Sequence, residues 1–372
     1  MNQQLSSFAA RLRESIISNF QNEDFDALAL ELFALQFKNN SAYRKICETR
    51  RLTPEVVEHW TQIPAVPTAA FKELELTSLA AKERTAVFHS SGTTEQKPSR
   101  HFHNAESLAV YEASLWNWFE QNFFANSIFK IQNSKLVFLT PPPNLVPHSS
   151  LVHMFETLRQ KFGGASVHAS QPEFLGKLAA DGSWTLSFDA TLAALSDNSK
   201  SKTQNPKLIL GTAFSFVHLL DFLAENNLQF QLPENSRLME TGGYKNRSRT
   251  MPKSELHALI TERLGVPREN IICEYGMSEL SSQAYDQEVR SQKSEVRSLH
   301  FPPWARAQII SPETNREVRD GETGLIRVFD LANVFSVAAI QTEDLAISRG
   351  EGFELIGRAQ LAEPRGCSLM TA

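Results

Sequence analysis

Apolar residues recur at helical spacing from the start of the chain. Leu5, Phe8, Leu12, Ile16 and Phe20 fall on one helical face, as do Leu28, Leu32 and Leu35. The first 50 or so residues therefore read as helices that pack without chemistry, the opening part of a helical region over 1–60. Asn104 is placed as the N-cap of a long helix to about residue 124, which turns Leu108, Tyr111, Leu115, Trp118 and Phe119 towards a core. Strand and helix patterns then alternate. Strands are expected at 135–140, 207–210, 237–240 and 270–274, and helices at 149–162, 213–225 and 252–264, the last with Pro252 in its first turn. Such alternation implies an α/β fold with a largely parallel sheet covered by helices. From about residue 304 the pattern changes to short strands, at 305–310, 324–329, 334–341 and 353–356, divided by Gly, Asp and Glu. That reads as a small antiparallel β subdomain over 304–358. Residues 197–205 are a low-complexity stretch, read as a solvated loop.

Composition narrows the class. The chain has 372 residues, 41% apolar and 21% charged, long enough for a large core or two domains. A net charge of −5 and a pI near 6.1 argue against nucleic acid as a general partner. No apolar run reaches the ~18–20 residues of a membrane span. The N-terminus lacks the apolar centre and cleavage signal of a secretory leader. Cys47, Cys273 and Cys367 share no metal-type spacing and are too few for a disulfide framework, so the expected setting is reducing and cytoplasmic. Cys47 and Cys273 are read as buried apolar residues. The 25 phenylalanines fit core filling or an apolar pocket for an acyl chain.

Four segments can carry chemistry. The first is Phe88-His89-Ser90-Ser91-Gly92-Thr93-Thr94-Glu95-Gln96-Lys97, a short strand opening into a hydroxyl-rich loop. Its backbone N–H groups, hydroxyls and ammonium could wrap phosphate oxygens, although Ser/Thr/Gly clusters also make ordinary turns. It lacks the GxxxxGK[ST] spacing of a P-loop NTPase. The second is Glu240-Thr241-Gly242-Gly243-Tyr244-Lys245, where two glycines permit close backbone approach and Tyr244 could stack on a base. The third is Cys273-Glu274-Tyr275-Gly276-Met277-Ser278-Glu279, with an aromatic wall, a hydroxyl and a hard oxygen ligand suited to Mg²⁺. The fourth is Gln341-Thr342-Glu343-Asp344-Leu345, placed between two short strands, followed by Gly357-Arg358. Its carboxylate could accept from both ribose hydroxyls, and the guanidinium could reach ribose or phosphate.

In this order the four segments resemble the adenylate-forming superfamily of acyl-CoA synthetases and luciferases. The adjoining text narrows the match: Pro147-His148-Ser149-Ser150-Leu151-Val152-His153-Met154-Phe155, Gly211-Thr212-Ala213-Phe214, Val217-His218-Leu219-Leu220-Asp221, Gln283-Ala284-Tyr285-Asp286 and Arg365-Gly366-Cys367-Ser368-Leu369. From about residue 60 onward the chain resembles the acyl-protein synthetase (LuxE) branch, part of the bacterial bioluminescence fatty-acid reductase.

The resemblance implies a large adenylate-forming domain over 1–358, a tail over 359–372 that carries Cys367, and no full C-terminal lid domain. It implies ATP and Mg²⁺ as cofactors and a carboxylic, fatty-type acid as substrate. It also implies an acyl-acceptor protein, such as an acyl reductase or carrier, as partner. By the same resemblance Ser90, Ser91, Gly92, Thr93, Thr94 and Lys97 grip the β- and γ-phosphates, and Gly242, Gly243 and Tyr244 line the adenine and acyl side. Tyr275 walls the adenine, Gly276 belongs to the same nucleotide-binding set, Ser278 touches a phosphate, Glu279 binds Mg²⁺, and Asp344 holds the ribose with Arg358 nearby. Cys367 then receives the acyl group as a thioester. His153, in a stretch that faces the carboxylate site in relatives, and His89, beside the phosphate loop, are candidates whose alternative is a structural role. The chain departs from the superfamily at Glu95, where glycine is usual, at Ala359-Gln360, where acidic hinge residues are common, and in the absence of a lysine-bearing domain in the ~14 residues after Arg358. Two other readings remain: an acyl- or aryl-CoA ligase of the phenylacetate type with Cys367 idle, and a binding protein that keeps the fold without catalysis.

Overall fold

The computed structural model describes residues 2–90, 97–124, 134–165, 173–196, 205–242, 251–291 and 294–359. Three helices open the chain: α1 (Gln3–Ile17), α2 (Phe25–Asn39) and α3 (Ser41–Thr49). Each starts where a side chain accepts orphan N–H groups: Asn2 from Gln4, Asp24 from Asp26 and Ala27, and Asn40 from Tyr43. The buried face of α1 is Leu5, Phe8, Leu12 and Ile16, as the spacing predicts.

After these helices come β1 (Val66–Pro67), α4 (Ala70–Glu73), β2 (Ala86–His89), β3 (Arg100–His103), α5 (Ala105–Phe123) and β4 (Lys135–Phe138). Next are α6 (Ser150–Ala165), β5 (Glu173–Phe174), β6 (Gly176–Leu178), β7 (Trp184–Leu186), α7 (Phe188–Leu195), β8 (Lys207–Thr212) and α8 (Ala213–Glu225). The chain continues through β9 (Arg237–Thr241), α9 (Lys253–Leu264), β10 (Ile271–Tyr275), β11 (Ala284–Ser291), β12 (Ser294–His300), β13 (Ala305–Ile310), β14 (Thr323–Asp330), β15 (Ala339–Arg349) and β16 (Gly352–Arg358). Twelve strands form one sheet, in the order β13-β14-β15-β16-β12-β11-β10-β9-β8-β4-β5, with β1 paired to β15.

The segment β5-β4-β8-β9-β10 is parallel, and β4, β8, β9 and β10 are buried on both faces over most of their length. Val137, Leu139, Ile209, Leu238 and Ile271 point into a core shared with α7, α8 and α9. Their sequence neighbours Leu136, Phe138, Leu208, Leu210, Met239 and Ile272 point into a second core shared with α5 and α6. This period-2 division explains why these strands read as continuous apolar runs. It also sorts the polar residues at their ends. Glu240 and Cys273 follow the parity of the α9 face, whereas Thr241 and Glu274 take the other.

Three expectations are corrected. The antiparallel strands are not set apart, because β11, β12 and β16 join them to β10 in the same sheet. Residues 334–338 are not strand. They form a buried segment whose backbone bonds to distant groups: Gln36 Nε2 donates to Asn333 O and Val334 O, Ser78 N donates to Phe335 O, and Gln36 Oε1 accepts from Ala338 N. Asp344 lies inside β15 rather than between strands. The sequence does not announce the long β11–β12 hairpin, since the few apolar residues of 284–300 (Ala284, Tyr285, Val289, Val296 and Leu299) fall at irregular spacing. The N-terminal helices share one core with Trp304, Phe329 and Ile340, so they pack against the antiparallel strands.

Candidate active site

Open α/β sheets bind ligands outside the carboxyl ends of their parallel strands. Here the ends of β9 and β10 carry Thr241-Gly242 and Tyr275-Gly276. Gly242 has φ +69°, a conformation that favours glycine. A Cβ at Gly276 would lie 2.5 Å from Glu274 Oε1, so this turn is packed against the Glu274 carboxyl. Glu274 is buried, and Thr241 Oγ1 donates to its Oε2. Burial pushes the Glu274 pKa up to about 7; the Thr241 bond pulls it down and the Glu240 charge adds to the rise.

Tyr275 is buried edge-on to Phe353 and Phe301, with ring centroids 5.5 and 6.2 Å away. Its hydroxyl donates to Asp344 Oδ2 at 2.9 Å, tying the third segment to the fourth across 69 residues. Asp344 pairs in register with Arg358 on β16, and Arg358 Nε lies 4.0 Å from Asp344 Oδ1 and 3.8 Å from Glu343 Oε2. Burial raises the Asp344 pKa, with Tyr275 and then Arg358 opposing and Glu343 reinforcing. Arg358 itself projects into solvent.

The ends of the first segment meet the third. Ser90 Oγ accepts from Ser99 N at 3.0 Å, and Ser99 Oγ is 3.4 Å from Ser278 Oγ. Ser278 Oγ donates to Glu279 Oε2 at 2.9 Å. Lys97, beyond the loop, is half-exposed and pairs with Glu73 at 3.3 Å. Thus Ser90, Ser278 and Glu279 form one linked group, and Tyr275, Asp344 and Arg358 form another, joined through the turn after β10. Ser91, Gly92, Thr93, Thr94, Gly243, Tyr244 and Cys367 lie outside the described residues, as does Glu95.

Three residues that hold this arrangement escaped sequence reasoning. His101 Nδ1 donates to the Ser278 carbonyl at 2.9 Å, and burial lowers its pKa to about 4, so it works as a neutral donor. Asp330 anchors the turn beyond Glu279: Oδ2 accepts from Ser281 N and Ser282 N, and Oδ1 from Ser282 Oγ and Ala332 N. Asn333 Nδ2 donates to Glu279 O at 2.9 Å from the same bend. None of the three belongs to a motif; only the fold brings them near. His153 sits against Phe88 and Tyr111, with Nε2 3.2 Å from Glu112 Oε1, and His89 lies against His148. Cys47 is an apolar core residue as expected, its thiol pushed up to about 11 by burial. Cys273 is buried too, but beside His257 and Glu240 rather than among apolar side chains.

The fold is that of the large domain of adenylate-forming ligases. A structure of 2-hydroxyisobutyryl-CoA ligase with 2-HIB-AMP and CoA in the thioesterification state superposes with a TM-score of 0.64 at 13% identity, covering 94% of this chain and 68% of that one. Its open conformation gives 0.60 at 13% identity, covering 88% and 69%. The model of the acyl-protein synthetase family LuxE matches residues 14–106 and 174–372, and the chain belongs to that family of ligases. The match takes in part of the N-terminal helices, ahead of the region where the motifs begin. It omits 107–173, where the stretch from Pro147 to Phe155 lies. The long-chain-fatty-acid–luciferin-component ligase of Aliivibrio fischeri is 24% identical over 384 residues, covering 95% of this chain and 89% of the relative. That of Vibrio harveyi is 23% identical over 351 residues, covering 91% and 84%. Among the described residues no helix is long and apolar enough to cross a membrane.

Proposed function

We propose that the protein activates a long-chain carboxylic acid with ATP and transfers the acyl group to the thiol of Cys367, for delivery to an acyl-accepting partner such as a reductase. The observation that carries this reading is the convergence of Ser90, Ser278, Glu279, Tyr275, Asp344 and Arg358 at the carboxyl end of β10, through the Ser99–Ser278 contact and the Tyr275–Asp344 bond. The family and its two luciferin-component relatives support the acid as substrate.

The site suits the chemistry. In the first step a substrate carboxylate oxygen attacks the α-phosphorus of ATP and pyrophosphate leaves, giving the acyl-adenylate. Asp344, with one oxygen held by Tyr275, accepts from the ribose hydroxyls through the other. Ser278 and the loop that begins at Ser90 contact phosphate oxygens, with Lys97 leaving Glu73 to join them. Mg²⁺ needs only one or two protein carboxylates beside phosphate oxygens, which the buried Glu279 carboxylate meets; when bound it offsets charge on the triphosphate. In the second step a thiolate attacks the carbonyl and AMP leaves. From Arg358 to Cys367 is nine residues, at most ~30 Å extended, enough for the tail to bring the thiol to an adenylate held beside Arg358. Arg365 favours the thiolate.

Mass spectrometry after incubation with ATP, Mg²⁺ and a fatty acid is expected to find the acyl group on Cys367, labile to hydroxylamine. A Cys367→Ser protein that forms as much thioester, or output that appears only on added coenzyme A, would instead mark a CoA ligase.

A further inference from the structure

On the sheet face opposite Thr241 and Glu274, three potential ligands of different types meet near the carboxyl ends of β9 and β10. Glu240 ends β9, Cys273 pairs with it in register on β10, and His257 projects from α9. All three are at most 3% exposed. His257 Nε2 is 3.8 Å from Cys273 Sγ and 3.5 Å from Glu240 Oε1, and the three donor atoms lie within 4.8 Å of one another. A tetrahedral zinc ion with Zn–S near 2.3 Å and Zn–N and Zn–O near 2.0–2.1 Å sets its donors about 3.3–3.6 Å apart. The observed separations need shifts of only tenths of an ångström for the two pairs that involve His257.

His257 Nδ1 is buried and makes no hydrogen bond among the described residues, and Glu240 Oε1 has only long contacts, at 3.5 Å to His257 Nε2 and 3.6 Å to Lys253 Nζ, which is unusual in a folded interior. The charge there is partly balanced by Lys253, whose Nζ is 3.6 Å from the same Glu240 Oε1. That side chain is 46% exposed, so its flexible stem can withdraw the ammonium to solvent. Behind the strand, Cys273 N donates to Asp286 Oδ1 at 2.6 Å, and Arg297 holds Asp286, which fixes the cysteine backbone.

We propose that Glu240, His257 and Cys273 bind one divalent transition-metal ion of the zinc type, with the fourth position open on the Lys253 side. Carboxylate, imidazole and thiolate together suit zinc and not Mg²⁺, which prefers oxygen. Binding replaces the Cys273 S–H bond by an S–metal bond and releases that proton to solvent. The ion joins β9, β10 and α9 just before the carboxyl ends of the two strands, so its role is to brace the Thr241-Gly242 turn.

The test uses the full-length protein with any affinity tag removed. It is incubated with Zn²⁺ or Co²⁺, desalted, and measured by elemental analysis and absorption spectroscopy. The expected result is about one metal per chain and, with cobalt, a thiolate charge-transfer band with tetrahedral d–d bands. Cys273→Ala and His257→Ala should each lower retained metal at least tenfold, and Cys47→Ala and Cys367→Ala should leave it unchanged. Lys253→Met, which removes the competing ammonium, should tighten binding. Failure of the unmutated protein to retain metal overturns the proposal without needing any variant. So does a cobalt spectrum that survives Cys273→Ala, which would place the ion elsewhere.

Discussion

Replacing Glu274 by glutamine should make the protein more stable at alkaline pH and nearly neutral at acid pH. The buried Glu274 carboxyl has its pKa pushed from 4.5 to about 7, chiefly by burial. An acid whose native pKa lies above its unfolded value keeps a proton in the folded state that the unfolded chain releases. Stability from this group is therefore full below about pH 4.5, falls as pH rises towards about 7, and is flat beyond. At 1.36 kcal/mol per pKa unit, the ionised form costs the native state about 3 kcal/mol at pH 8.5. Glutamine keeps an oxygen for the Thr241 hydroxyl and cannot ionise. Urea unfolding of both proteins at pH 5 and pH 8.5 isolates the group, because every other titration is common to both. The variant should match wild type within about 1 kcal/mol at pH 5. At pH 8.5 it should gain about 2–3 kcal/mol, a midpoint shift of ~0.5–1 M. The same difference at both pH values would refute the reasoning, since it would mean that Glu274 titrates alike in the native and unfolded states.

Other positions make separate tests. Asp330→Asn sets an amide NH₂ against either the Ser281 and Ser282 N–H groups or the Ala332 N–H and Ser282 hydroxyl, so it should cost ~3–5 kcal/mol in chemical denaturation at pH 8. Gly276→Ala would drive a methyl into Glu274 Oε1, and a loss of ~1–3 kcal/mol is expected, relieved when combined with Glu274→Ala in a double-mutant cycle. Tyr275→Phe leaves Asp344 without its 2.9 Å donor; steady-state kinetics should show KM for ATP up ~3–10-fold with kcat changed less.

Much of the fold was legible because it rests on local rules. The 3.6-residue spacing from Leu5 to Ile16 and the Asn104 cap marked helices that the structure contains, with Asn104 accepting from Ser107 N. Apolar runs at 207–210 and 270–274 marked parallel strands buried on both faces. What failed was what depends on partners far along the chain. Val334 to Ala338 looks like a strand, but Gln36 and Ser78 take up backbone groups of that segment and leave no ladder to form. The β11–β12 hairpin is held partly by Asp286 with Arg297, a cross-strand ion pair without hydrophobic periodicity. The candidate site divides likewise. Tyr275, Ser278, Glu279 and Asp344 stand in recognisable segments at strand ends or within a strand. His101, Asp330 and Asn333 act through loop backbone brought close by the sheet, and the Glu240–His257–Cys273 cluster spans two strands and a helix with no sequence spacing to announce it.

Acid-dependent exchange between ATP and labelled pyrophosphate reads adenylation without any acceptor thiol, and so reaches the central claim most directly. Across a series of fatty acids, wild type and Cys367→Ser should exchange at similar rates, and Glu279→Gln should lose at least tenfold. Absence of exchange with every acid, or exchange undiminished in Glu279→Gln and Asp344→Asn alike, would contradict the assignment of this site to adenylate formation.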